Sequence, residues 1–147
     1  MRRLIPLALL ALFVGLMILV HWAAPLGKFM GHPLTYLGAL PVLAGAAVSV
    51  LGLRQLLRAG TTVRAFHQPD RLVSGGIFRH TRNPIYLGMA LILGGLCILL
   101  GVRCLLIPVV LFVMIADRWF VRVEERMLAR KFGEAWENYR AGTPRWI

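Results

Sequence analysis

Charged residues are scarce in this sequence, and acidic residues are the scarcest. Only 16% of the 147 residues are charged and six are acidic, whereas 59% are hydrophobic and the mean hydropathy is +0.72. Soluble domains carry about 25% charged residues, so the composition argues against an ordinary soluble globule, and its apolar content excludes a disordered chain. The 17 Lys and Arg residues give a net charge of +11. Because they lie between apolar runs of membrane length, they argue against a nucleic-acid partner.

Cysteine is too scarce to support a disulfide framework or a zinc site. The two cysteines, Cys97 and Cys104, form no CxxC motif, and we predict no metal site. Both are predicted to lie near the outer face of the membrane on adjoining helices. Ordinary packing is the favoured interpretation, with a disulfide as the alternative.

Four apolar stretches predict an all-α integral membrane protein that forms one membrane domain over residues 1–147. The first stretch has 21 residues without a formal charge, which makes a helix of about 31 Å and crosses a hydrocarbon core. Because Arg2 and Arg3 precede it, a cleaved secretory signal is the alternative, but the stretch exceeds the roughly 7–15 apolar residues of a signal. The four predicted transmembrane helices cover residues 4–24, 33–53, 84–102 and 104–121, with a cytoplasmic loop at 54–83 and a cytoplasmic C-terminal helical segment at 122–147.

The C-terminal segment is predicted to remain helical to about Tyr139. Phe132, Trp136 and Tyr139 recur at spacings of four and three residues, a pattern typical of an apolar stripe that docks on a membrane surface or on the helix bundle. Gly142 and Pro144 predict the end of this helix.

The basic residues predict the orientation of the chain. Fifteen of the 17 lie before the first span, between the second and third spans, or after the last apolar stretch, and only Lys28 and Arg103 fall on the other side. By the positive-inside rule, both termini and the central loop face the cytoplasm. The six acids lie on or near that side too, so polar chemistry is predicted there. The predicted location is the inner membrane of a bacterium or archaeon.

Regularly spaced glycines predict close contact between the second and third spans. Gly38, Gly45 and Gly52 recur every seven residues, as do Gly88 and Gly95. Seven residues make nearly two helical turns, so each set lines one face. Helix packing is the favoured interpretation, and a floor for a cofactor at Gly88 is the alternative.

A first polar cluster lies where the third span begins. Pro84 suits a first helical turn, and Asn83 can cap its free amides. With Arg79 and Arg82 beside it, this helix start is attractive to a carboxylate or phosphate. The alternative is that the arginines only anchor the helix among lipid headgroups, with Tyr86 as an interfacial aromatic residue.

A second cluster, Glu124 and Glu125, follows the fourth span. Adjacent side chains point about 100° apart on a helix, so the two acids are poorly placed to share a proton but could hold different parts of one ligand. The alternative is a solvated helix in which the acids pair with arginines. Glu125 has Arg122 three residues before it, whereas Glu124 has only apolar neighbours at such spacings.

These motifs together resemble a known family. The string RNPIYLG at residues 82–88, followed by Glu124-Glu125 and then by Leu128, Phe132-Gly133, Tyr139 and TPRW at residues 143–146, resembles the isoprenylcysteine carboxyl methyltransferase-like membrane proteins, which are related to the phospholipid N-methyltransferases. The resemblance covers roughly residues 36–147. It implies S-adenosylmethionine at the cytoplasmic ends of the last two spans, covered by the C-terminal segment.

The resemblance also implies site residues. Tyr86 and Gly88 would lie beside the cofactor, and Glu124 and Glu125 would hold its polar parts. The cofactor-binding residues that we predict are His80, Asn83, Pro84, Tyr86, Leu87, Gly88, Glu124 and Glu125. The predicted catalytic residues are Arg79, Arg82 and Arg145, one of which would orient a carboxylate acceptor.

We therefore predict S-adenosylmethionine-dependent methyl transfer to a lipophilic or lipid-attached acceptor, in contact with membrane lipid. An NADPH-dependent membrane reductase with a related core is one alternative, and a non-enzymatic small membrane protein is another.

Overall fold

The computed structural model describes residues 5–23, 27–28, 30–61 and 70–147, except for the side chain of Cys104. Within these ranges the chain is helical and contains no strand, and one isolated antiparallel bridge joins Lys28 and Val102. The α-helices are α1 (Ile5–Ala23), α2 (Ala39–Arg58), α3 (Pro84–Leu100), α4 (Leu106–Ile115), α5 (Arg122–Phe132) and α6 (Glu134–Gly142). Three 3₁₀ turns cover Leu34–Gly38, Gly76–Arg79 and Arg103–Leu105, and a π-helical turn covers Ala116–Val121.

Among the residues that the structure describes, two helices are long and apolar enough to cross a membrane. They are Ile5–Ala23 and Leu34–Arg58, and α3 is a shorter apolar helix. The prediction of an all-helical chain is confirmed for the described residues, whereas four spans remain a prediction. Residues 106–132 run through α4, the π-helical turn and α5 without a break. The fourth apolar stretch therefore continues directly into the segment that carries both glutamates.

Glycines bring α2 and α3 into backbone contact. A Cβ atom on Gly45 would overlap the carbonyl oxygen of Gly88, and one on Gly38 would overlap that of Gly95. Where α3 begins, a Cβ on Gly52 would lie 3.0 Å from Cγ of Pro84. Small residues at such an interface permit dense packing where the hydrophobic effect between helices is weak. The α2–α3 pair is thus packed backbone against backbone.

The apolar core lies where α1 packs against α3 and α4. Met17, Leu93 and Phe112 are fully buried, and Phe13 meets Phe112 edge to face at 5.7 Å between ring centroids. Gly101 ends α3 in the left-handed conformation, with φ +65°, which permits the short connection to α4.

The C-terminal segment differs from the single helix predicted to about Tyr139. The helix ends at Phe132, Gly133 adopts φ +50°, and α6 then runs to Gly142. Glycine tolerates this backbone conformation and other residues rarely adopt it. The break redirects the chain so that Trp136, one residue of the predicted stripe, is almost completely buried.

Candidate functional site

A cavity of about 350 Å³ lies beside the first turns of α3 and α5. Its wall is mainly apolar and includes Leu53 of α2, Met89 of α3 and Leu128 of α5. The polar and charged residues that line it are Ser49, Thr61, Arg71, Arg82, Asn83, Tyr86, Glu124, Glu125 and Tyr139. The two clusters that the sequence singled out thus contribute to one cavity.

Glu124 is a half-buried carboxylate that lines this cavity. Its Oε1 accepts a hydrogen bond from the hydroxyl of buried Tyr86 at 2.9 Å. No arginine or lysine forms an ion pair with Glu124 within the described ranges. Burial therefore raises the pKa of Glu124 to about 7, although the Tyr86 hydrogen bond acts in the opposite direction.

Glu125, the next residue, is fully engaged with protein groups. Its carboxylate accepts hydrogen bonds from Arg145, at 3.1 Å from Nε to Oε1 and 2.6 Å from Nη2 to Oε2. Arg82 lies 3.4 Å from Oε1. The pair with Arg122 that helix spacing suggested is not formed, because Arg122 instead pairs with Asp117 at 3.1 Å.

Of the three arginines predicted to be catalytic, Arg82 is the one that lines the cavity. Only 9% of its side chain is exposed, and its guanidinium lies 5.6 Å from the ring centroid of Trp136. Nε and Nη1 of Arg82 are buried and have no hydrogen-bond partner in the described part of the chain. Burial lowers the pKa of Arg82, and Glu125 opposes this shift. Buried N–H groups without partners are rare in proteins, so these two groups mark a place for an acceptor atom.

Asn83 does not cap α3 as predicted. No side-chain cap bond forms at this helix start, and the Asn83 Nδ2 donates to the carbonyl oxygen of Arg145 at 3.2 Å. This bond holds the Asn83 carboxamide against the C-terminal residues, whereas a cap would need its Oδ1 to accept from an amide of α3. The first amides of α3 consequently remain without a side-chain acceptor from Asn83, on the side where Ile85 and Tyr86 line the cavity.

The remaining predicted residues lie outside the cavity wall. Arg79 and His80 are exposed to solvent, and Leu87 is half-buried elsewhere on α3. Pro84 and Gly88 face α2, where they meet Gly52 and Gly45. The Arg145 side chain is 30% exposed, binds Glu125 and does not line the cavity. Of the predicted residues, the cavity gathers Arg82, Asn83, Tyr86, Glu124 and Glu125.

Two aromatic residues of α6 belong to the site as well. Trp136 and Tyr139 line the cavity, and the Tyr139 hydroxyl donates to the carbonyl oxygen of Phe78 at 2.7 Å. Burial raises the pKa of Tyr139 to about 12, and Arg82 opposes the shift. The sequence predicts that these aromatics belong to an apolar stripe that docks on a membrane surface or on the helix bundle. In the structure they follow the break at Gly133 and line the cavity.

Comparison with known proteins gives the family of the chain. The family model described as phospholipid methyltransferase matches residues 34–135, which include α2, α3, α5 and both glutamates. No curated protein and no solved structure matches the chain. The match covers most of the chain and agrees with the membrane methyltransferase family that the motifs indicated, whereas the isoprenylcysteine carboxyl methyltransferase-like subtype remains a prediction. The chain therefore belongs to the phospholipid methyltransferase family, a family of membrane methyltransferases.

Proposed function

We propose that the chain transfers a methyl group from S-adenosylmethionine to a lipophilic or lipid-attached acceptor at the cytoplasmic face of the membrane. One observation carries the proposal. A single, mostly apolar cavity is lined by a carboxylate without a cationic partner, Glu124, and by an arginine with two unbonded N–H groups, Arg82. A carboxylate without a cationic partner and an arginine with two unbonded N–H groups suit a ligand that carries both a positive and a negative group.

The residues present fit S-adenosylmethionine. Its amino-acid portion has a carboxylate, which suits the Arg82 N–H groups and the free amides at the start of α3. Its ammonium group or ribose hydroxyls suit the Glu124 carboxylate. Bound there, S-adenosylmethionine would supply a methyl group activated by a positively charged sulfur.

The protein's part in the reaction is to hold and orient the reactants. Methyl transfer removes the positive charge of the sulfonium and requires the nucleophile, the methyl carbon and the sulfur in line. Correct positioning alone contributes about 7–11 kcal/mol to such reactions. The apolar wall of the cavity would exclude water from the methyl group.

An acceptor with a lipid tail would approach from the apolar side of the cavity. Pro6 and Leu7 of α1 line that side together with Val50 and Leu53 of α2. α1 packs mainly against α3 and α4 and makes at most marginal contact with α2. The gap between α1 and α2 therefore supports sideways access from the bilayer, while the cofactor comes from water.

Two measurements on the purified protein test the proposal. In a thermal-shift assay, S-adenosylhomocysteine is expected to raise the melting temperature saturably and NADPH to have no effect. Incubation of membrane extracts with methyl-labelled S-adenosylmethionine should then place label in a lipid-soluble fraction only when the protein is present. Stabilisation by NADPH alone would favour the reductase alternative, and stabilisation by neither ligand would contradict the proposal.

A further inference from the structure

The last residues of the chain bind the segment that begins α3. We call residues 143–147 the C-terminal strap. The Arg82 amide donates to the carbonyl oxygen of Pro144 at 3.0 Å, and the carbonyl oxygen of Arg145 accepts from the Thr81 hydroxyl at 3.1 Å and from Asn83 at 3.2 Å. The strap therefore runs along the backbone on either side of Arg82.

Two side chains of the strap, Arg145 and Trp146, bind carboxylates of the π-helical turn and of α5. Besides its two bonds to Glu125, Arg145 donates from Nη1 to Oδ1 of Asp117 at 3.3 Å. The same oxygen accepts from Nε1 of Trp146 at 3.3 Å. We call Asp117, Glu125 and Arg145 the clasp. Asp117 lies in the π-helical turn and Glu125 lies in α5, so the strap is tied to both.

The clasp also reaches Arg82. Oε1 of Glu125 lies 3.1 Å from Nε of Arg145 and 3.4 Å from Nη2 of Arg82. Glu125 is only 9% exposed, and each of its oxygens already accepts from an arginine. A buried carboxylate between two guanidinium groups has little capacity left for a ligand, and its loss would leave both cations without their partner.

We propose that Glu125 is a positioning residue and that its neighbour Glu124 is the acid that contacts the ligand. Glu125 holds the strap through Arg145 and directs the Arg82 guanidinium toward the cavity. The two adjacent glutamates thus have different roles, because their side chains diverge by about 100° around α5. The claim that Glu124 contacts the ligand rests on the proposed function. The claim that Glu125 holds the strap and orients Arg82 does not.

Hydrogen exchange of the whole chain in detergent tests whether Glu125 holds the strap through Arg145. The Arg82 amide, which donates to Pro144, reports directly on the attachment of the strap. We expect its exchange to accelerate about tenfold or more in both Glu125→Gln and Arg145→Gln, because each removes a charged hydrogen bond of the clasp. Arg145 is 30% exposed, so the second variant keeps the test valid if the first fails to fold. The matched control is Glu137→Gln, which breaks the exposed pair with Arg140 and should change nothing.

Binding of S-adenosylhomocysteine separates positioning from direct contact. We expect Glu125→Gln to weaken binding about tenfold in the wild-type background and to have no further effect when Arg82 is already changed to Lys, because both act through the same guanidinium. Additive losses, or weaker binding with unaltered Arg82 exchange, would show that Glu125 contacts the ligand itself and overturn the proposal. Unaltered exchange in both clasp variants would also overturn it. If the wild-type protein binds no S-adenosylhomocysteine, the proposed function fails, and the exchange result still decides whether the clasp holds the strap.

Discussion

At the scale of single residues, the environment of Glu124 makes the stability of the protein depend on pH. Its pKa is about 7, against an ordinary value of 4.5, because burial disfavours the charged carboxylate. The folded protein consequently holds this proton at pH values where the unfolded chain has released it. The free energy of unfolding contributed by this group falls as the pH rises from about 4.5 to about 7 and then remains low.

Replacement of Glu124 by Gln removes the loss of unfolding free energy that accompanies ionisation of the buried carboxyl group. At pH 8 we expect Glu124→Gln to be more stable than the wild type by about 1–3 kcal/mol, and at pH 4.5 we expect little difference. Melting temperatures measured in detergent across this pH range test the expectation. The same variant should bind S-adenosylhomocysteine less tightly. A variant less stable than the wild type at pH 8 would show that the charged carboxylate is well compensated.

Tyr86 stabilises the charged form of Glu124 through its hydroxyl. Tyr86→Phe removes the 2.9 Å hydrogen bond and keeps the ring that packs near Phe120. We expect the pKa of Glu124 to rise further, so that the pH at which affinity for S-adenosylhomocysteine reaches half its maximum moves upward. Calorimetric titrations from pH 6 to pH 9 measure this shift. An unchanged midpoint would mean that Glu124 does not control binding.

At the scale of helices, the contact between α2 and α3 depends on glycines. A Cβ on Gly95 would lie 2.6 Å from the Gly38 carbonyl oxygen and 2.7 Å from the backbone nitrogen of Val42, whereas one on neighbouring Gly94 would meet nothing within 4 Å. We expect Gly95→Ala to destabilise the protein by about 1–3 kcal/mol, because backbone atoms must move apart. Gly94→Ala is the matched control and should be neutral or slightly stabilising, since alanine favours a helix. Equal melting temperatures for the two variants would contradict the close backbone contact between α2 and α3 at Gly95.

The helices also show what sequence reasoning could and could not predict. The glycine repeat predicts the α2–α3 contact because its spacing follows from helix geometry alone. The break at Gly133 was not predicted, because the apolar stripe with Trp136 and Tyr139 fits a continuous helix equally well. The positive φ of Gly133 depends on where α6 packs, and that is a tertiary property.

At the scale of the whole molecule, the site joins segments distant in the sequence. Sequence motifs predict that the start of α3 and the two glutamates act together, and the cavity contains both. They do not distinguish Arg82 from Arg79 and Arg145, since the residue type alone does not show where each side chain points. The folded chain separates them, because Arg79 is exposed, Arg145 is tied to Glu125 and Arg82 faces the cavity.

The central claim is that one cavity holds a ligand of mixed charge between Glu124 and Arg82. Isothermal titration with S-adenosylhomocysteine tests it most directly, in the wild type, Glu124→Gln, Arg82→Lys and a surface control, Arg140→Gln. We expect saturable binding to the wild type and the control, and affinities at least about tenfold weaker in the other two, since each loses a charged hydrogen bond to the ligand. Equal affinities in all four proteins, or no binding to the wild type, would contradict the claim.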